Sequence, residues 1–279
     1  MSPVTPALYR VEHVMGMPVT LHIAPPAEPR PDRIGAVADE VYAWLRHVDA
    51  VFSTYRPDSP ISRLAAGAAL STVADPDGEV AYVLERCAQL WRDTDGYFDA
   101  SAPGRLDPSG YVKGWAVQRG SDLLAARGCG NHQLNAGGDL VARGRPERGR
   151  GWRIGIQHPF RPDALAWVVE GADLAVATSG TYARGTHVVD PHTGRPATEL
   201  CSVTVLGPLD RIDLGTADAY ATAALAMGRA GARWLAGLPD LHGAVVTADG
   251  RAVTTPGFPA VPGSPGGEMV RIGGRPVDG

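Results

Sequence analysis

Cysteine is scarce in this chain of 279 residues, which has only Cys87, Cys129 and Cys201. The three are widely separated, and no two have the spacing of a zinc or redox motif, so we interpret them as isolated apolar side chains. Long hydrophobic runs are also missing, since no stretch approaches the roughly 20 apolar residues of a membrane-spanning helix. These absences argue against a disulfide framework, a zinc finger and a membrane segment.

A strong excess of charge of one sign is absent as well. Lys and Arg number 26 against 30 Asp and Glu, which leaves a formal net charge of -4. Broad binding to nucleic acid or to a membrane surface usually needs a basic excess, so we expect no nucleic-acid partner. The first residues lack a basic start, an apolar run and a small-residue cleavage site, so we expect a cytoplasmic location.

What the sequence does contain is the composition of a globular enzyme, with 44% hydrophobic and 20% charged residues. Apolar residues at helical spacing predict helices over 34–52, 80–91, 112–127 and 215–227, with a shorter one near Trp234. Asp32 is predicted to cap the first helix, and Gly128 to end the third.

Alternating or continuous apolar segments predict the strands. These are 15–23, 132–136, 140–142, 152–157, 174–177, 202–206, 244–247 and 252–254, with an edge strand at 269–272. Asp249-Gly250 between two of them is a strong hairpin signal. Because hairpins outnumber regular βαβ units, we predict an α+β fold, a single domain with antiparallel sheets and packed helices. We expect a domain over 1–260, loose order from Pro256 on, and a Gly/Pro-rich tail over 261–279.

Asp218 and Thr222 lie four residues apart on a predicted helix, so both side chains share one face. Carboxylate and hydroxyl oxygens are hard ligands that suit Mg²⁺. The alternative is ordinary helix capping, in which Thr216 or Asp213 caps the helix and Asp218 only favours its first turn. Spacing alone leaves both interpretations open.

Further polar segments could bind an anion. Asp107 and Ser109 precede a predicted helix and Lys113 lies near its start, where unpaired N–H groups and a lysine both attract phosphate. Gly137-Gly138 follows a strand and would let a backbone approach a ligand closely. Neither GxxxxGK[ST] nor GxGxxG is present, so an ordinary capped turn remains the alternative.

Three more segments contain candidate ligand contacts. Thr178 and Ser179 could form a hydroxyl-rich turn, and His187 precedes two valines and could point from a strand into a site. No HExxH motif accompanies it, so zinc is not indicated. Tyr55 could stack on an aromatic ligand or pack in the core.

The order of these segments is more specific than any one of them. They run MGM, STYRPDSPISRL, FDAS, LDPSGYVKGWAV, NAGGDL, WRIGIQHP, ATSGTY, THVVDPHTGRP, SVTVLGP and TADAYATAAL. This series resembles the ApbE family, the FAD:protein FMN transferases, from Met15 to Gly228. The resemblance implies an ApbE-like fold that binds FAD with Mg²⁺ at its diphosphate. It also implies transfer of FMN to a threonine or serine hydroxyl of an acceptor protein, with release of AMP.

The resemblance also implies roles for individual residues. The metal ligands would be Asp218, Thr222 and the backbone carbonyl of Gly110. His187 would activate the incoming hydroxyl, with Asp139 as the second candidate for that base. Contacts to the nucleotide and flavin are implied for Met15, Tyr55, Asp107 and Lys113. We predict further contacts at Ser101, Gly137, Gly138, Thr178, Ser179 and His187.

The chain departs from the family pattern in several places. MGT is replaced by MGM with Pro18 after it, and FDPT is replaced by FDAS, which keeps a hydroxyl at Ser101. Pro108 replaces a small apolar residue, and the segment before Asp107 is short. Two other functions remain open: an FAD diphosphatase that gives FMN and AMP, and a carrier that binds FAD without turnover.

Overall fold

A computed structural model describes residues 7–25, 31–102, 104–181, 188–263 and 269–271. Its α-helices are α1 (Pro31–Phe52), α2 (Pro60–Ala65), α3 (Glu79–Asp93), α4 (Ser109–Ala126), α5 (Leu214–Ala226) and α6 (Arg229–Ala236). Its first strands are β1 (Leu8–Val14), β2 (Met17–Ile23), β3 (His132–Ala136), β4 (Asp139–Arg143), β5 (Trp152–His158) and β6 (Arg161–Gly171). The others are β7 (Leu174–Gly180), β8 (Val189–Asp190), β9 (Arg195–Pro196), β10 (Leu200–Pro208), β11 (His242–Thr247), β12 (Ala252–Thr254) and β13 (Met269–Arg271).

Nine of these strands form one sheet in the order β1-β2-β3-β4-β7-β10-β11-β12-β13. Its pairs are antiparallel except the last, in which β12 and β13 run parallel. β5 pairs with β6, and β8 pairs with β9, in two separate hairpins. The predicted α+β class with antiparallel sheets is confirmed.

The large sheet separates two apolar cores because side chains alternate between its faces. On β10, Val203 and Val205 pack into the core that the helices cover. On β11, Ala244 and Val246 point to the opposite face, where they pack with Trp167 and other residues of the β5–β6 hairpin. The molecule therefore has three layers, helices, sheet and hairpin.

Two helices of the first layer, α4 and α5, touch at glycines. A Cβ at Gly114 would lie 2.4 Å from the Leu214 carbonyl oxygen, and one at Gly215 would lie 2.7 Å from the Tyr111 ring. Only glycine allows backbones to approach this closely. The first residues of α5 therefore lie directly against the first turns of α4.

One face of β1 carries charged side chains. Arg10 pairs with Asp39 of α1 at 2.6 Å and also with Glu12, and Arg46 of α1 pairs with Glu12 at 2.7 Å. These ion pairs bind the edge strand to the first helix. Tyr9 and Val11 project to the other side and are exposed.

The predicted helices and most predicted strands are confirmed, but several details differ. The strand predicted from Met15 begins at Met17, because Met15-Gly16 forms the turn between β1 and β2. Asp32 lies inside the first turn of α1 and is not its cap. β1, β6, β8, β9 and α2 were not predicted.

The loose order predicted from Pro256 is wrong for the next few residues. Phe258 and Ala260 pack against the second core, and the Val261 N–H donates to the Val168 carbonyl at 2.7 Å. The boundary at residue 260 between domain and tail stays a prediction. No helix in the described part of the chain is both long enough and apolar enough to cross a membrane.

A buried polar chain fixes α4 to β3 and β4. The Arg143 Nε–H donates to Ser121 Oγ at 3.0 Å, Ser121 Oγ lies 2.7 Å from His132 Nε2, and His132 Nδ1 lies 2.6 Å from the Cys129 carbonyl oxygen. A carbonyl can only accept, so Nδ1 carries the proton and Nε2 accepts from the serine. Burial lowers the pKa of His132 to about 4.

Gly114→Ala should lower the free energy of unfolding by about 1–3 kcal/mol, because the new methyl group has no room beside Leu214. Urea denaturation measures this. Gly35→Ala in α1 is the control, since a Cβ there meets nothing within 4 Å. That variant should be more stable than the wild type by about 0.5–1 kcal/mol. Equal effects of the two variants would contradict the close contact.

The lowered pKa of His132 makes stability depend on pH. Since the unfolded state binds the proton more tightly, His132 stabilises the fold fully above its ordinary pKa of 6.5. This stability is lost as the pH falls from 6.5 towards 4, by about 3 kcal/mol in all. His132→Gln should flatten the pH dependence of urea denaturation in this window. An unchanged slope in His132→Gln would contradict this role.

Candidate active site

A cavity of about 690 Å³ opens where turns of the large sheet, the start of α4 and the middle of α5 meet. This is within the range of small-molecule and cofactor sites. Its lining combines aromatic and apolar side chains with a few polar groups. The lining residues are 15–17, 55, 97–99, 102, 107, 109, 110, 113, 137, 138, 154–157, 176, 178–180, 188, 189, 191, 218 and 222.

Asp218 and Thr222 both line this cavity from one face of α5. Asp213, one of the two caps that the alternative interpretation named, does cap α5, since its carboxylate accepts from the Thr216 N–H at 3.0 Å. Asp218 lies a full turn further along and is only 2% exposed. A carboxylate buried there is not explained by capping.

Gly110 of α4 lies against Thr222. A Cβ at Gly110 would lie 3.5 Å from Thr222 Oγ1 and 3.2 Å from the Phe98 ring. Thr222 Oγ1 also lies 3.0 Å from Ser179 Oγ of β7. The structure therefore brings the three predicted metal-ligand residues, Asp218, Thr222 and Gly110, to one end of the cavity.

Lys113 lies between two buried carboxylates. Its Nζ is 2.6 Å from Asp139 Oδ2 and 3.8 Å from Asp218 Oδ2. The lysine side chain is 13% exposed, that of Asp218 2% and that of Asp139 0%. Lys113 and Asp218 line the cavity, whereas Asp139 lies behind them and accepts from the Thr178 N–H at 2.8 Å.

The glycine turn between β3 and β4 forms another part of the wall. Gly137 and Gly138 have φ of 61° and 102°, a region that favours glycine. The Gly138 N–H donates to Asn135 Oδ1 at 3.0 Å, so the turn itself uses this amide. Met17 lies over the turn, since a Cβ at Gly137 would be 3.0 Å from its Sδ.

Met15 reaches the cavity from a tight turn. Met15 and Gly16 both have positive φ, 54° and 73°, and join the antiparallel strands β1 and β2. Asn and Gly are the usual residues in such a hairpin turn. A left-handed conformation costs a methionine roughly 1–2 kcal/mol. The turn is strained at a residue that lines the cavity, which is typical of functional sites.

Aromatic side chains form the outer rim. Tyr55 lines the cavity and is 92% exposed, so its ring is open to a ligand. The ring of Tyr97 packs on His192, with 4.4 Å between centroids. His192 Nε2 also lies 2.9 Å from the Asp95 carbonyl oxygen and so donates to it. This contact joins the β8–β9 turn to the segment after α3.

Most residues predicted for the site line the cavity: Met15, Tyr55, Asp107, Gly110, Lys113, Gly137, Gly138, Thr178, Ser179, Asp218 and Thr222. Ser101 does not, although Asp99 and Ala102 beside it do. Asp139 is near the cavity but lies behind Lys113, a poor position for a base. His187 lies outside the described residues.

Sequence reasoning missed part of the lining. Met17 was recognised only as a departure from the family pattern, and Tyr97, Asp99 and Pro191 were assigned no role. The segment WRIGIQHP contained a signal, because Gln157 and its neighbours on β5 line the cavity. Their side chains reach it only because the β5–β6 hairpin folds across the sheet.

The oxygen donors fit a hard cation such as Mg²⁺. The described ranges contain no group of three or more His, Cys, Asp or Glu side chains that could hold a metal ion by themselves. The available set is instead one buried carboxylate, one hydroxyl and the neighbouring backbone at Gly110. Oxygen-only sets with few carboxylates are typical of Mg²⁺ that is shared with substrate phosphates.

Solved structures share this architecture. The ApbE protein of Thermotoga maritima aligns with a TM-score of 0.76 and 20% identity, over 90% of this chain and 97% of that one. The flavin transferase ApbE of Vibrio cholerae aligns with a TM-score of 0.73 and 23% identity, over 90% and 97%. At these identities the likeness shows the fold.

Curated relatives match parts of the sequence. A protein of Vibrio cholerae named FAD:protein FMN transferase is 36% identical over 133 residues, which is 44% of this chain and 39% of that protein. One of that name from Haemophilus influenzae is 24% identical over 253 residues, 68% of this chain and 72% of that one. The chain thus aligns with well under half of the Vibrio protein's length.

The family assignment rests on the greater part of the chain. A sequence model of the ApbE family matches residues 15–104 and 100–245. These ranges include the Met15 turn, the start of α4, the glycine turn and the α5 residues that line the cavity. The chain belongs to the ApbE family.

Proposed function

We propose that this protein is a magnesium-dependent FAD:protein FMN transferase, which moves FMN from FAD to a threonine or serine hydroxyl of an acceptor protein and releases AMP. The observation that carries the proposal is the composition of one cavity. Lys113, Asp218 and Thr222 lie at one end, and Met15 and Tyr55 lie in the rest of its wall. Family membership and the names of the curated relatives support it.

The charged end of the cavity matches the diphosphate of FAD, and its aromatic wall matches the flavin ring. A diphosphate needs cations and fixed donors, which Lys113 and a metal at Asp218 would provide. A flavin ring needs flat apolar contacts, which Tyr55 and Tyr97 offer, with the thioether of Met15 as a further apolar contact. The cavity volume of about 690 Å³ is compatible with a ligand of this size.

Asp218, Thr222 and the Gly110 carbonyl would hold the Mg²⁺. When bound, the ion would neutralise charge on the diphosphate and so stabilise the transition state of its cleavage. Lys113 would add a fixed positive charge beside the phosphates. Asp107 would contact the nucleotide at the start of α4, where its side chain accepts from the Ser109 N–H at 3.0 Å.

His187 remains our proposed base for the acceptor hydroxyl. This rests on the resemblance and on its neighbour in the chain, Val188, which lines the cavity. A hydroxyl is a weak nucleophile and needs such a base, whose effect is typically a hundredfold or more. Asp139 is less suitable, because its carboxylate is 0% exposed and is engaged by Lys113 and the Thr178 N–H.

The function is tested by incubating the protein with FAD, Mg²⁺ and a candidate acceptor protein. AMP is measured by chromatography and the acceptor by mass spectrometry. We expect AMP together with a gain of one FMN on the acceptor. AMP without any gain in mass would favour the FAD diphosphatase, and bound FAD without AMP in any condition would favour the carrier.

Asp218→Asn should reduce the AMP-forming rate by about a hundredfold or more, since it removes the carboxylate from the proposed metal site. The control is Asp210→Asn, the same change at an exposed turn before α5. That variant should keep the wild-type rate. Full activity in Asp218→Asn would show that the metal ligands are misplaced.

Met15→Asn should stabilise the protein and weaken its binding of FAD. Asn tolerates the left-handed turn, so we expect a Tm higher by about 2–4 °C. The thioether is lost from the cavity, so the Kd for FAD, measured by fluorescence titration, should rise.

The matched control for this change is Asp240→Gly. Asp240 also has a positive φ, 61°, but does not line the cavity. A change at residue 240 should leave the Kd for FAD unchanged, because this residue lies away from the cavity. A Met15→Asn protein that binds FAD as tightly as the wild type would contradict the role of Met15.

A further inference from the structure

Two buried carboxylates lie close to the Lys113 ammonium. Asp139 and Asp218 supply two carboxylates, and Lys113 supplies one ammonium within 4 Å of both. Burial makes such charges costly unless they are paired. Both carboxylates therefore compete for the same ammonium beside the cavity.

The ammonium is not shared equally. Its Nζ lies at hydrogen-bond distance from Asp139, 2.6 Å, but 3.8 Å from Asp218. Asp139 is held in place, because its second oxygen accepts from the Thr178 N–H at 2.8 Å. Thr178 is in turn fixed to Thr204 of β10, with 2.9 Å between the two hydroxyl oxygens.

We propose that Asp139 is a positioning residue that holds the Lys113 ammonium away from Asp218, so that a divalent cation can bind there. The inference rests on the proposed metal site at Asp218. Asp139 itself does not line the cavity and acts only through Lys113. Lys113 and the metal ion compete for the charge of Asp218, and Asp139 decides how strongly the lysine competes.

Asp139→Asn exposes this competition. The amide keeps the shape of the side chain and can still accept from Thr178, but it no longer attracts an ammonium. The Asp218 carboxylate remains within 4 Å of Lys113, and the ammonium moves towards it. Changes to residues behind a metal ligand typically reduce metal affinity about 10–100-fold.

The experiment is a titration of the full chain with Mn²⁺ alone, with free Mn²⁺ measured by electron paramagnetic resonance. Mn²⁺ prefers the same oxygen ligands as Mg²⁺. Asp139→Asn should weaken the Mn²⁺ site about tenfold or more. Adding Lys113→Met to that variant should restore most of the lost affinity, because the competing ammonium is gone.

The restoration distinguishes positioning from a merely structural role. If Asp139 only supported the fold, the second substitution would leave the affinity low or lower it further, which would overturn the proposal. The control is Asp122→Asn on the same helix, where Asp122 pairs with Arg143. That change should leave the Mn²⁺ affinity unaltered.

Lys113→Met alone gives a second measurement if the Asp139 variant fails to fold. It should bind Mn²⁺ more tightly than the wild type, and its Tm should rise more on addition of Mn²⁺. Affinity equal to or below the wild type would overturn the proposal. Absence of any saturable Mn²⁺ site in the wild type and in all variants would instead contradict the metal site, and with it the proposed function.

Discussion

The contact of Lys113 with two buried carboxylates is the interaction on which the site depends. Asp139 opens β4, Lys113 is in the second turn of α4, and Asp218 is in α5. The three side chains therefore join the sheet to two helices at the end of the cavity. The charges can approach because Gly114, the next residue on α4, lets the backbone of α5 come close. Lys113 and Gly114 are adjacent on α4: the first provides the positive charge of this contact, and the second provides the space that it needs.

The remaining walls depend on the turns of the sheet. Gly137 and Gly138 follow β3, and Met15 precedes β2. Because β2 and β3 are paired, both turns lie at the same end of these strands. The β5–β6 hairpin adds a third wall from the opposite face of the sheet. The layers that bury the two cores thus also enclose the cavity. The same helices, strands and hairpin contribute to stability and to ligand binding.

Much of this could be predicted from the sequence. Helices were predicted from apolar spacing. A helix that buries one face has apolar residues at a regular spacing, whichever element packs against that face. Asp218, Thr222 and Lys113 were recognised because they lie in an ordered series of motifs. The turn at Met15 was not, since methionine is not a residue that signals a positive φ. Strand β6 was missed because Pro162 and Asp163 near its start do not follow a strand pattern.

Pairings across long stretches of sequence were the least predictable. The rings of Tyr97 and His192 are in contact although many elements separate them, and neither has a local signal for the other. The same holds for Asp139 and Lys113, whose contact follows from how α4 crosses the sheet. Asp139 was predicted as a possible base from its motif alone. Its burial behind Lys113 argues against that role, and this burial can be recognised only in the folded structure.

The charged border of β1 has a consequence for the protein in concentrated solution. In the described part of the chain, β1 ends the large sheet and has a partner on one side only. Such an edge can recruit a strand from another molecule and start aggregation. Arg10, Glu12 and their ion pairs with α1 place charges along it. Charged side chains on an edge strand disfavour such pairing, so this edge resists self-association although the cavity begins at the turn that follows β1.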